Sequence, residues 1–195
     1  KDNWEIAVFG DSISHGGGHI SYGPADHEFS WLSYLDFPAI NLSMSGDTSV
    51  TMLERFETDV LPFHPRYLLI LNGTNSLRAG VSAAEVIADL EELKARCLAN
   101  GIRPIFLTLP PINPENIARA FDEPTVDDWQ TQFSLVNAFL RTEVHIDVAA
   151  AFSTHPLLPT ELALDGLHED VIGKQLIAQT VNRAWPETKQ QADRL

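Results

Sequence analysis

Apolar runs of strand length recur along the chain, at "IAVF" (6–9), "AINLSM" (39–44), "YLLILN" (67–72), "IRPIFLTL" (102–109) and "VHIDVA" (144–149). Segments of helical period fall between most of them. The runs lack the polar alternation of a half-exposed strand, so each strand must be covered on both faces. A parallel sheet sandwiched by crossover helices meets that condition, and right-handed crossovers make it a three-layer α/β/α domain.

The spacing predicts its clearest helix over 83–99. Ser82 and Glu85 form a capping box, Gly101 follows the end, and Val86, Leu90, Leu93 and Cys97 make one apolar stripe, which places Cys97 in the core. Further helices are expected at 49–61 (Val50, Leu53, Val60, Leu61), 126–142 (Trp129, Phe133, Val136, Leu140) and 170–185 (Ile172, Leu176, Ile177, Val181). A chain of 195 residues with no repeat or linker-like break reads as one domain, 1–195.

The net charge of −14, from 13 Lys and Arg against 27 Asp and Glu, opposes nucleic acid or an anionic membrane surface as a partner. No apolar run is long enough to span a bilayer, so a soluble protein with no membrane span is expected. The lone Cys97 cannot form an internal disulfide. The chain as given shows no targeting signal, and both its compartment and its oligomeric state stay open.

In open parallel sheets, ligands bind beyond the carboxyl ends of the strands. There the chain places Gly10-Asp11-Ser12, Ser45-Gly46-Asp47, Asn72-Gly73-Thr74-Asn75 and, before the last helix, "LDGLHED" (164–170). These supply a hydroxyl, backbone N–H groups beside glycines, a side-chain amide, and an Asp with a His. They are the parts of an acyl-transfer site. A serine hydroxyl needs a base to take its proton, and an imidazole serves when a carboxylate fixes its tautomer. Asp165 and His168 are close enough for one turn to bring the carboxylate to Nδ1 and leave Nε2 facing outward. Ser12 is the partner that arrangement requires. The Ser12 N–H, the Gly46 N–H and the Asn75 amide lie on the same rim as candidate oxyanion donors.

With these residues the chain resembles the SGNH, or GDSL-like, hydrolase superfamily. The blocks "FGDSI", "NLSMSGDTS", "LNGTNS" and "DGLH" stand in the family's order and cover nearly the full length. The resemblance implies Ser12 as nucleophile and first oxyanion donor, Gly46 and Asn75 as the other donors, His168 as base and Asp165 as its orienting partner. It also implies a flavodoxin-like sheet of five parallel strands in the order 2-1-3-4-5. Two positions depart from the family's pattern: Ile13 stands where Leu is common, and Ser76 where many members carry Asp. The second puts a local polar contact in question.

Other readings of these residues carry less. Asp11 is expected to satisfy backbone donors of its turn. Asp47 or Thr48 suits the N-cap of the next helix. The run His15-Gly16-Gly17-Gly18 is similar to a lipase oxyanion loop, but Gly10-Asp11-Ser12-Ile13-Ser14 lacks the closing glycine of that fold's nucleophile elbow. The same glycines complete neither a phosphate loop nor a dinucleotide fingerprint, and they are expected to form a flexible loop beside the site. His15 and His19 would align as metal ligands only on a helix, which three glycines oppose, so neither metal nor cofactor is expected. His145 and Asp147 suit structural roles in the last strand, and Trp31 and Trp129 suit helix faces. The proline-rich stretch 109–128 has no periodicity and is a candidate lid or wall at the end of the fourth strand.

The expected activity is that of a serine esterase acting on a small-molecule ester, a small acyl group on a carbohydrate first of all. A lysophospholipase or acyl-thioesterase of the same family, and a noncatalytic binding domain of a larger protein, are the alternatives.

Overall fold

The computed structural model describes residues 4–16, 27–153, 157–163 and 165–195. Five strands form one sheet: β1 (Ile6–Gly10), β2 (Ile40–Asn41), β3 (Tyr67–Leu71), β4 (Arg103–Leu107) and β5 (His145–Ile146). All pairings are parallel and the order is β2-β1-β3-β4-β5. The helices are α1 (Ser12–His15), α2 (Ser49–Asp59), α3 (Thr74–Arg78), α4 (Ala83–Ala99), α5 (Pro114–Ala120), α6 (Trp129–Leu140), α7 (Val148–Ala151) and α8 (Val171–Ala192).

β1 and β3 are buried along their whole length, as unbroken apolar runs in a doubly covered sheet require. α4 packs between α2 and α6, while α8 packs with α7 and a short 3-10 turn, Trp31–Tyr34. The result is the expected three-layer α/β/α fold. No described helix is long and apolar enough to cross a membrane.

α4 has the bounds its sequence predicts. Ser82 Oγ accepts from Glu85 N at 3.2 Å, and Glu85 Oε2 accepts from Ser82 N at 3.4 Å. The edge strands are shorter than expected. β2 keeps two assigned residues, yet Leu42 N and Met44 N still donate to the Val8 and Gly10 carbonyls, at 2.8 and 3.0 Å. β5 stops at Ile146 because Asp147, expected within that strand, caps α7 by accepting from Ala150 N.

The buried face of α2 is Met52 and Phe56, not the expected Val50, which is exposed. On α8 Ile172 is likewise exposed. That helix also runs past its expected end near 185 and through Pro186. Packing holds it there: Trp185 lies 5.0 Å from the Phe37 ring and 5.3 Å from the Tyr67 ring, and Thr188 and Ala192 are buried.

Trp31 sits in the 3-10 turn rather than on a regular helix, fully buried, with Nε1 donating to Ser14 Oγ at 2.9 Å. Trp129 opens α6 and is buried, as expected.

Candidate active site

β1 ends at Gly10, and Asp11 N-caps α1 by accepting from Ile13 N at 3.0 Å, which is the backbone role expected of it. Ser12 is thereby the first residue of α1, where an N–H has no helical acceptor. Its hydroxyl meets His168 Nε2 at 2.7 Å. On the far side of the ring, Nδ1 lies 2.8 Å from Asp165 Oδ2. A carboxylate can only accept there, so Nδ1 carries a hydrogen, and the neutral ring then presents the Nε2 lone pair to the hydroxyl. Ser12, His168 and Asp165 are all buried.

The Asp165 turn is built for this. Oδ1 accepts from Leu167 N and His168 N, each at 2.8 Å. Burial pushes the Asp165 carboxyl up, but the His168 ring and these two backbone donors outweigh it and hold the group below its ordinary range. Gly166 has φ 76°, and a Cβ there would meet the Asn113 carbonyl at 2.3 Å. Only glycine lets the turn lie against the start of α5, where Asn113 N donates to the Gly166 carbonyl at 2.8 Å.

Ser12, Gly46, Asn75 and His168 line one cavity of about 230 Å³. Gly46 takes a left-handed φ of 81° in its turn. Asn75 lies in α3, and its Nδ2 donates to the Asp47 carbonyl at 2.9 Å, which fixes the amide and leaves a second N–H. Asp47 is fixed in turn by Arg55, whose Nη2 reaches Asp47 Oδ2 at 2.8 Å and whose guanidinium stacks 4.3 Å over the Phe9 ring. Thr48, not Asp47, caps α2. Ser76, the position whose polar contact was in question, supplies one of its own: its Oγ accepts from Ser49 N at 3.2 Å.

Residues 8–176 match the GDSL-like lipase/acylhydrolase family. The chain belongs to that family. Among curated proteins it is 28% identical over 120 residues to the uncharacterized lipoprotein YqeF of Bacillus subtilis (strain 168). The match takes in 55% of this chain and 49% of that protein, so the chain spans about half the length of this relative. The fold is similar to that of the lipase/acylhydrolase from Enterococcus faecalis, with TM-score 0.72 and 23% identity over 96% of each chain. It is also similar to a catalytic mutant of Axe2, an acetylxylan esterase from Geobacillus stearothermophilus, with TM-score 0.65 and 22% identity over 94% of each chain.

In this GDSL-family chain the stretch 109–128 is a wall with a helix inside it, α5, where no periodicity was visible. Phe121 and Glu123 from that stretch line the cavity, together with Arg78 from the end of α3. The Phe121 ring stands edge-on to the His168 ring at 5.9 Å. Arg78 straps the wall down: Nε donates to Thr125 Oγ1 at 3.2 Å, Nη2 to the Glu123 carbonyl at 3.4 Å, and its own carbonyl accepts from Val126 N. His15 closes α1 and pairs with Ser45 Oγ at 3.0 Å through Nδ1, while Gly17, Gly18 and His19 lie outside the described residues.

Glu169 and Lys174, which sequence reasoning missed, join Asp11 in a second group. Asp11, Glu169 and Lys174 are buried together beside the site. Burial pushes the Asp11 carboxyl up to about 7, with the Ile13 N–H and Lys174 pulling the other way. Burial likewise raises Glu169 and lowers Lys174, each held back by the other's charge. One signal could have found the lysine: Lys174 shares a helical stripe with Ile177, Ala178 and Val181, all buried.

Proposed function

We propose that this protein is a serine esterase that hydrolyses a carboxylic ester through an acyl-enzyme on Ser12, acting on a small acyl group, acetyl above all, carried by a carbohydrate or a similar small alcohol. The observation that carries this reading is the 2.7 Å contact from Ser12 Oγ to His168 Nε2, with Asp165 on Nδ1.

In the proposed reaction the Ser12 oxygen bonds to the ester carbonyl carbon while His168 Nε2 takes the hydroxyl proton. The carbonyl oxygen becomes an oxyanion, with the Ser12 N–H, the Gly46 N–H and the free N–H of Asn75 Nδ2 as its donors. Collapse breaks the bond to the alcohol oxygen, which leaves with the proton from Nε2. Water then repeats the sequence: His168 takes its proton, the hydroxide oxygen bonds to the acyl carbon, and the acid departs as the proton returns to Ser12. Asp165 stays ionised and holds the imidazole that gains and loses charge.

Support for a small substrate comes from the cavity. About 230 Å³ is below the usual range for drug-sized ligands, roughly 300–1,000 Å³. Its described lining combines Arg78, Glu123 and Ser45 with the apolar side chains of Phe121 and Leu167.

The test is a series of p-nitrophenyl esters from acetyl to palmitoyl, together with acetylated sugars. Highest kcat/KM on acetyl esters is expected. A preference for long chains would move the assignment to the lysophospholipase or thioesterase reading, and no turnover with any ester would favour a binding domain.

A further inference from the structure

α1 is only four residues long, so the Ile13 carbonyl has no donor four residues on within its own helix. The chain meets this carbonyl with the ammonium of Lys174, which is 0% exposed and donates from Nζ to Ile13 O. Ile13 N is held by Asp11 Oδ1 at 3.0 Å. The residue next to Ser12 is therefore gripped at both ends of its backbone, once from its own turn and once from α8.

The second grip joins the two halves of the site. Lys174 lies in the first turn of α8, whose N-cap Asp170 is two residues beyond His168. A side chain anchored on the His168 segment thus reaches across to the peptide that follows Ser12. Burying an ammonium for one carbonyl is costly, since a water molecule or a neighbouring amide could satisfy that oxygen without desolvating a charge. Asp11 from the Ser12 turn, with Glu169, Asp165 and Asp170 from its own segment, surrounds the ammonium with carboxylates that offset this cost. No side chain among the described residues donates to the Glu169 carboxylate, and the Lys174 charge opposes the rise that burial gives it. None of Asp11, Glu169 and Lys174 lines the cavity.

We propose that Lys174 is a positioning residue: by holding the Ile13 carbonyl against the His168 segment, it sets the approach of the Ser12 hydroxyl to Nε2. The proposal rests on the reading of Ser12 and His168 as nucleophile and base.

The test compares steady-state kinetics on p-nitrophenyl acetate for the wild type, Ser12→Ala, Lys174→Met, and Lys174→Met combined with Glu169→Gln. The double variant leaves no unpaired charge at either position and so protects the fold. Lys174→Met is expected to lower kcat roughly 10- to 100-fold, with KM changed by less than about threefold, because misplacement by about 1 Å costs rate and not binding. The double variant should melt cooperatively and stay slow, since the grip on Ile13 is still absent. A double variant that folds and regains wild-type kcat would overturn the proposal, and so would failure of both variants to fold, which makes the ammonium a support of the fold alone. Loss of activity in Ser12→Ala with full activity in both Lys174 variants would sink this inference and leave the serine reading standing. An active Ser12→Ala would sink the serine reading itself.

Discussion

Ser12 Oγ and His168 Nε2 lie 2.7 Å apart although 156 positions separate them in the chain. The sheet makes the approach possible. Ser12 follows β1, near the middle of the order β2-β1-β3-β4-β5, and His168 ends the long connection between the last strand and α8. Both residues stand where an open parallel sheet places its ligands.

Asn75→Ala should slow turnover by about 10²- to 10³-fold, the usual effect of removing one oxyanion donor. The fold should survive, since the change deletes one hydrogen bond, to the Asp47 carbonyl, worth about 1 kcal/mol. Kinetics and a thermal melt of the same preparation check both parts, and a variant with wild-type kcat would remove Asn75 from the reaction.

Phe121→Ala should widen substrate choice. The ring stands 5.9 Å from the His168 ring and forms part of the cavity wall, so truncation lengthens the space beside the reacting centre. The ratio of kcat/KM for octanoyl over acetyl ester should rise roughly tenfold or more, as pocket methylenes are worth about 1–3 kcal/mol each. An unchanged ratio would mean that the acyl chain leaves by another wall.

The stability that Asp11 contributes should fall as pH rises from about 4 to about 7. Asp11 titrates near 7 when folded and at its ordinary value of 3.8 when unfolded. In that window the folded chain keeps a proton the unfolded chain has released, so its contribution is full below pH 4 and is lost as pH passes 7. The size is on the order of 4 kcal/mol. Glu169, also raised, acts in the same direction, and Lys174, lowered by burial, acts in the opposite one. Asp165, which is lowered, loses its contribution only as pH falls below its ordinary value, outside this window. Denaturant melts at pH 5 and pH 8 should show the loss in the wild type and a smaller one in Asp11→Asn.

Cys97 should be inert in the native protein. The thiol lies on the buried face of α4, and burial pushes it up to about 12. A thiol reagent such as DTNB should report no reaction until denaturant is added. Prompt labelling of the folded chain would contradict this packing.

What the sequence made legible follows from where its signals are local. The capping box at Ser82 and the stripe through Cys97 fix α4 within one segment, and the residues that follow the buried strands mark the rim of the site. Edge strands carry a weaker signal, because β2 and β5 pair on one side only. Lys174 was hidden for a different reason: a lysine is read as surface even where its stripe, through Ile177, Ala178 and Val181, is buried, and the carbonyl it meets belongs to a distant segment. Arg78 and Phe121 come from separate segments that tertiary packing alone brings to one wall.

The measurement closest to the centre of this account is labelling by a fluorophosphonate, read by mass spectrometry together with turnover of p-nitrophenyl acetate, in the wild type and in Ser12→Ala. The account predicts one adduct on Ser12 in the wild type, with no adduct and nearly abolished turnover in the variant. Labelling at another serine, or unchanged turnover in Ser12→Ala, would contradict it.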